Sequence, residues 1–199
     1  MTRHAISLFT QRRTQYALGK NLPIAESEVD ALIREAIRLA PSSFNSQSSR
    51  AVILFGAAHE KLWNITRETL RPMVPADAFA ATDAKMNAFA AGAGTVLFYE
   101  DQDTIKELQQ KYALYADNFP VFSEHSAGMA QFAVWTALAE AGIGASLQHY
   151  APLIDAEVAR TWEVPASWKL RAQMPFGSNE KAFGEKTFIA DEVRFKTVR

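Results

Sequence analysis

Cysteine is missing from all 199 residues of this chain. The absence excludes a disulfide framework, a thiolate nucleophile, a cysteine-ligated zinc and a cysteine-held iron–sulfur cluster together. Redox work by such a chain requires a bound organic cofactor. An excess of charge is also missing. Lys and Arg number 21 against 22 Asp and Glu, a net charge of −1, which provides no general attraction to nucleic acid or to anionic membranes. The opening MTRHAISLFTQRRTQYALG has no apolar run ending in a small-residue cleavage site, and Arg12 and Arg13 interrupt it. A cytoplasmic protein is the expectation.

Long hydrophobic runs are absent too. The most apolar stretch, Ala127 to Gly144, is broken by Gln131, Thr136 and Glu140, so it is expected not to span a bilayer. It reads as a buried helix, apolar around almost its whole circumference, which the domain centre or another subunit must cover on several sides. Four histidines, at 4, 59, 125 and 149, show no paired helical spacing, and no acidic cluster resembles a calcium loop; a metal site is not expected. No serine sits in a G-x-S-x-G elbow. Gly92-Ala93-Gly94 precedes a predicted strand and Gly142-Ile143-Gly144 lacks its third glycine, so no Rossmann fingerprint is supported. A nicotinamide nucleotide, if used, would dock transiently over another cofactor.

What is present is enough apolar surface for a sizeable core, 48% hydrophobic and 11% aromatic residues, in one domain spanning 1–199. Val29, Leu32, Ile33, Ala36, Ile37 and Ala40 mark a helix that Pro41 ends. Apolar runs at 51–55 and 95–99 read as buried strands, with helices over 59–73 and 76–91 between them and over 101–115 beyond. Asn118-Phe119-Pro120 is expected to break the chain before a helix over 123–141. A short strand or loop over 146–150, a helix over 153–162 and a strand over 168–174 follow, then a turn-rich segment containing Gly177 and Gly184. Helices between single strands indicate an α+β fold. The tail, DEVRFKTVR, is too short to fold alone and needs a docking surface, its own sheet edge or a neighbour's.

Three polar groupings stand out. Arg12, Arg13 and Thr14 offer two guanidinium forks and a hydroxyl within one turn, suited to gripping phosphate, although a solvated helix face is the plainer reading. The loop Pro41 to Ser49 places many short hydrogen-bonding side chains between a helix end and a strand, where ligands often bind and where ordinary turns also occur. Lys181, Lys186 and Arg194 are cations that folding would have to bring to the first group. His149, between Gln148 and Tyr150, is the histidine most suited to a ligand.

Together RRTQY at 12–16, APSSFNSQSS at 40–49, EAGIGASLQHY at 140–150 and FGEKTF at 183–188 resemble the nitroreductase family of flavoproteins, in particular its small fungal and bacterial branch acting on nitroaromatics and quinones. The resemblance spans nearly the whole chain. It implies a mixed sheet flanked by helices in an intertwined homodimer, with two FMN molecules at the subunit interface. Arg12, Arg13 and Thr14 would contact the flavin phosphate or ring edge, and Lys186 the phosphate. Ser42, Ser43, Asn45 and Gln47 would come from the other subunit. Ser146, Leu147, Gln148 and His149 would run along the reactive edge near N5, with Gln148 the principal candidate. Tyr16 stands where many members carry a basic residue near the pyrimidine ring, and Thr187 where many carry arginine. Phe44, Tyr115, Phe119 and Phe122 are candidate pocket walls.

The implied activity is ping-pong transfer from NADH or NADPH through flavin N5 to a nitro or quinone acceptor, with no side chain as nucleophile. A flavin-binding or regulatory module of the same fold with little turnover, and a cofactor-free structural dimer, are the alternatives.

Overall fold

The apolar run at 95–99 becomes the middle of the molecule. The computed structural model describes residues 4–199, and its sheet consists of β1 (Leu18–Gly19), β2 (Ser49–Phe55), β3 (Gly94–Asp101), β4 (Gly144–Ala145) and β5 (Trp168–Asn179). Strand order is β1-β5-β3-β2, with β4 also on β5. Eight helices accompany it among the described residues: α1 (His4–Gln11), α2 (Glu26–Leu39), α3 (Gly56–Leu70), α4 (Phe79–Ala90), α5 (Gln102–Lys111), α6 (Phe119–Glu140), α7 (Asp155–Trp162) and α8 (Asp191–Arg194). The fold is α+β, as expected.

Side chains alternate across the sheet and feed two cores. Val96 and Phe98 of β3 pack with Val29 and Ile33 of α2 and Val134 and Leu138 of α6. Leu97 and Tyr99 face the other way, onto Leu62, Trp63, Met86, Phe89 and Val158 from α3, α4 and α7. Covering on both faces is why β3 reads as a continuous apolar run rather than an alternating one. On β5, Ala172, Met174 and Phe176 join the first core, but Leu170 joins the second. The cause is a bulge: Phe98 pairs with Ala172 and Tyr99 with Leu170, so the skipped Arg171 reverses the phase of the strand.

Several boundaries differ from the sequence reading. The sheet expected to be mixed has antiparallel ladders, and the one parallel pairing among the described residues is the isolated bridge between Thr14 and Ala145. The helix expected over 101–115 ends at Lys111, and Tyr112 leaves helical geometry before a 3-10 segment, Ala113–Asn118. Pro120 does not break the chain but sits in the first turn of α6, where its missing N–H costs nothing. Strand β5 runs five residues beyond Met174 and takes in Gly177, which the sequence places in turns. A Cβ there would lie 2.1 Å from Gly19 O and 3.0 Å from Ala93 N, so only glycine lets β1 approach. β1 itself, two residues long, carries no periodicity to read.

The apolar α6 packs on α1, α2 and the sheet, with Ala127, Ala130, Val134 and Leu138 buried. Its outer face is not covered: Met129 and Phe132 are exposed, Phe132 by 42%. No helix among the described residues is long and apolar enough to cross a membrane.

Candidate functional site

Where α1 ends, the two arginines part. Arg12 lays its guanidinium over the Trp135 ring of α6, 4.5 Å from the centroid, and burial followed by the charge of Arg13 lowers its pKa. Arg13 turns to the opposite side, donating from Nη2 to Gly184 O at 2.7 Å and lying 5.7 Å from the Phe183 ring. There it lines a cavity of about 310 Å³ whose other cation is Lys186, with Phe9 and Phe188 as walls. Thus one arginine and the late lysine converge, although their sequence positions are remote. Arg12 does not join them.

Thr14 forms the parallel bridge to Ala145, and Gln15 N–H donates to Ala145 O at 2.9 Å. Gln15 Nε2 also donates to Lys181 O at 2.7 Å. Residues 12–16 are therefore held between the end of β4 and the start of the tail. The Tyr16 side chain stands out from the surface, 58% exposed.

The stretch after β4 continues as a single extended edge on β5. Ser146 N–H donates to Pro175 O at 3.2 Å, and Gln148 and Gln173 exchange backbone hydrogen bonds at 2.7 and 2.9 Å. Gln173 Oε1 further accepts from Tyr150 N–H at 2.7 Å. In extended backbone the intervening amides point the other way. Those of Leu147 and His149 make no hydrogen bond among the described residues, which leaves two donors along the outer edge. The Gln148 side chain is buried and donates from Nε2 to Ser146 Oγ at 3.1 Å. What this segment offers outward is main chain, with the exposed His149 beside it.

The loop after α2 forms a second grouping. Ser43–Asn45 is a single 3-10 turn, Ser42 Oγ accepts from Gln47 N–H at 2.9 Å, and Ser43 N–H donates to Ser126 Oγ of α6 at 3.2 Å. Ser42 and Gln47 border a cavity of about 350 Å³ with Arg34, Arg38 and Arg50. It has no lining residue in common with the Arg13–Lys186 cavity. Within one chain Arg13 and Lys186 share one cavity and Ser42 and Gln47 border another, while Thr14 and Gln15 are tied to Ala145 at the head of 146–149.

Beside that loop the expected wall side chains meet. Phe44 lies 5.2 Å from Phe119 and 6.3 Å from Tyr115 between centroids, and Phe119 lies 5.9 Å from Phe122. Tyr112, which sequence reasoning did not single out, is closer to Phe44 than any of these at 4.9 Å. The aromatic density of YALYADNFPVF was its only signal. Gln173 and Glu100 were missed also. Gln173 lies between the buried Ala172 and Met174 and Glu100 beside the buried Tyr99, placements that stay invisible until each strand is known to be buried on both faces.

The chain has relatives among known proteins. The model of the nitroreductase family matches residues 9–178. Two proteins of Saccharomyces cerevisiae are similar over 94% of this chain and 94% of their own: HBN1 at 36% identity and the nitroreductase FRM2 at 31%. Among solved structures, nitroreductase CinD from Lactococcus lactis in complex with nicotinic acid is 50% identical. It covers 98% of this chain and 100% of its own, with a TM-score of 0.91. The same enzyme in complex with 4-nitrophenol is 50% identical with a TM-score of 0.89.

Proposed function

The chain belongs to the nitroreductase family, and on that premise we propose that it is an FMN-dependent oxidoreductase passing reducing equivalents from NADH or NADPH to nitroaromatic or quinone acceptors. The observation that carries the reading is the convergence of Arg13 and Lys186 on one cavity, with the adjoining Thr14 bridged to Ala145 at the head of the 146–149 stretch. Bound FMN supplies the hydride exchange that the side chains of this cysteine-free chain cannot. The residues present fit it. Arg13 and Lys186 offer a guanidinium fork and an ammonium for a phosphate dianion. The Leu147 and His149 amides offer preorganised donors to a ring edge. Thr14 is fixed between the two by its bridge to Ala145, and Tyr16 flanks it. In this reading Arg12 supports the site through Trp135 rather than touching phosphate.

Ser42, Ser43, Asn45 and Gln47 lie away from that cavity in the same chain, so a second copy is needed to bring them to it. Exposed apolar groups support a homodimer: Phe9, Met129 and Phe132 around α1 and α6, and Phe188, Val193 and Phe195 in the tail. Phe44, Tyr112 and Tyr115 would then border the space above the ring, excluding water and offering faces to planar acceptors. CinD complexes with nicotinic acid, chloramphenicol and 4-nitrophenol, all carrying aromatic rings, favour an aromatic acceptor. The test is direct. Protein saturated with FMN and desalted should keep flavin absorbance, NADH or NADPH should bleach it within a stopped-flow trace, and a nitroaromatic or quinone should restore it. A colourless protein ends the reading, and a coloured one that no donor bleaches leaves only a binding module.

A further inference from the structure

The loop bearing Ser42, Ser43, Asn45 and Gln47 is held in a conformation its own residues disfavour. Phe44, Asn45 and Gln47 have left-handed backbones, φ 56°, 51° and 47°. Asn tolerates that region, but Phe44 and Gln47 carry a steric cost that the surroundings must offset.

Those surroundings lead to one side chain. Glu100 of β3 is wholly buried, and three hydroxyls donate to it: Ser48 Oγ to Oε2 at 2.5 Å, Ser49 Oγ to Oε1 at 2.5 Å and Ser123 Oγ to Oε2 at 2.8 Å. The ion pair with Arg50 is taken by its neighbour Asp101 at 2.8 Å. A buried carboxylate satisfied by hydroxyls alone adds little to stability, since an apolar side chain would pack a central strand as well or better. What it supplies is direction. Two of its donors are the residues where the loop joins β2, and the third belongs to α6. One turn further along α6, Ser126 Oγ takes the Ser43 N–H at the loop's other end. Arg50 adds a donation from Nη1 to Gln47 O at 2.6 Å, and Asp101 N–H donates to Ser48 O at 3.0 Å.

We propose that Glu100 is a positioning residue: through Ser48 and Ser49 it locks the 42–47 loop against α6, in the strained conformation that presents the loop's polar groups to flavin bound with the partner copy. What the loop touches rests on the FMN reading above; the clamp itself does not.

Glu100→Gln keeps the shape, but its NH2 cannot accept, so the hydroxyl facing it must turn and accept instead of donating to a carboxylate. Ser48→Ala removes one tether and leaves Glu100 two donors, so it keeps the test alive should Glu100→Gln fail to fold. Ser48→Thr retains the hydroxyl. Two quantities are read on the full chain: amide hydrogen exchange of the flavin-free protein, and FMN dissociation constant by fluorescence titration. Loss of a charge-assisted hydrogen bond at the loop should speed exchange at 42–47 about tenfold in Glu100→Gln and Ser48→Ala, with α3 and α4 unchanged, and should weaken FMN about tenfold. Ser48→Thr should restore both. Unchanged loop exchange overturns the proposal, as does acceleration spread over β2, β3 and α6 alike, the mark of a merely structural group. Faster loop exchange with unaltered FMN affinity overturns the positioning role. If the wild-type protein binds no FMN, the FMN reading fails, while loop-confined exchange still supports the clamp and its absence still overturns it.

Discussion

Arg12 and Arg13 are neighbours with opposite environments, and the difference is measurable. Arg13 shares its cavity with Lys186, so Arg13→Ala and Lys186→Ala should each weaken FMN by about tenfold to a hundredfold, the range of a charge-assisted hydrogen bond, read by fluorescence titration. Arg12→Ala instead removes the cation stacked on Trp135 and should lower stability by about 1 kcal/mol with a smaller effect on FMN. His59 makes the second residue-scale case. It is wholly buried, with Nδ1 2.8 Å from Thr95 Oγ1, which also accepts from Trp63 Nε1 at 3.0 Å. Burial pushes its pKa down from 6.5 to about 4. Between those values the unfolded chain holds a proton that the folded chain refuses. The contribution is therefore complete above pH 6.5 and is lost as pH falls toward 4, by about 3 kcal/mol in all. Urea denaturation at pH 7 and pH 4.5 should show the drop, and His59→Phe should flatten it; an equal slope in the variant would contradict the assignment.

Elements follow local patterns until a contact from outside overrules them. The end of α2 was legible because Pro41 follows it; its start at Glu26 is fixed by the Glu28 carboxylate, which accepts the Ala25 N–H. Strand β5 was cut short because Pro175 and Gly177 look like turn residues, yet the strand needs that glycine for the passage of Gly19. Gly177→Ala should push β1 from the sheet and cost about 2 kcal/mol or more, the scale of overpacking a close-packed site, seen as a lower urea midpoint. Because β1 follows directly on residues 12–16, flavin retention should fall with it. Residues 146–150 were legible only as a short strand or loop; their backbone pairing with β5 and the buried Gln148 side chain were not, because both depend on Gln173 and Pro175, far along the chain.

At the scale of the whole molecule, one chain presents two separate polar cavities and an exposed apolar face. Phe132 of α6 stacks on Phe9 of α1 at 5.2 Å and remains 42% exposed. Phe132→Glu, which buries nothing in the monomer core, should shift sedimentation from dimer to monomer at micromolar concentration and should cost flavin binding in the same step, since a charge at a desolvated apolar contact is strongly unfavourable. A variant that stays dimeric, or a monomer that retains FMN, would contradict a site shared between copies.

Composition, periodicity and four ordered motifs sufficed for the α+β class and the nitroreductase family. Both depend on neighbours within a few positions, and local spacing records them. Tertiary structure alone decided that Arg13 rather than Arg12 meets Lys186, that Gln148 turns inward, and that Glu100 draws together a loop and a helix. Each of those outcomes is settled by groups far apart in the chain that meet only when two faces of one sheet are covered, and a linear pattern carries no term for that meeting.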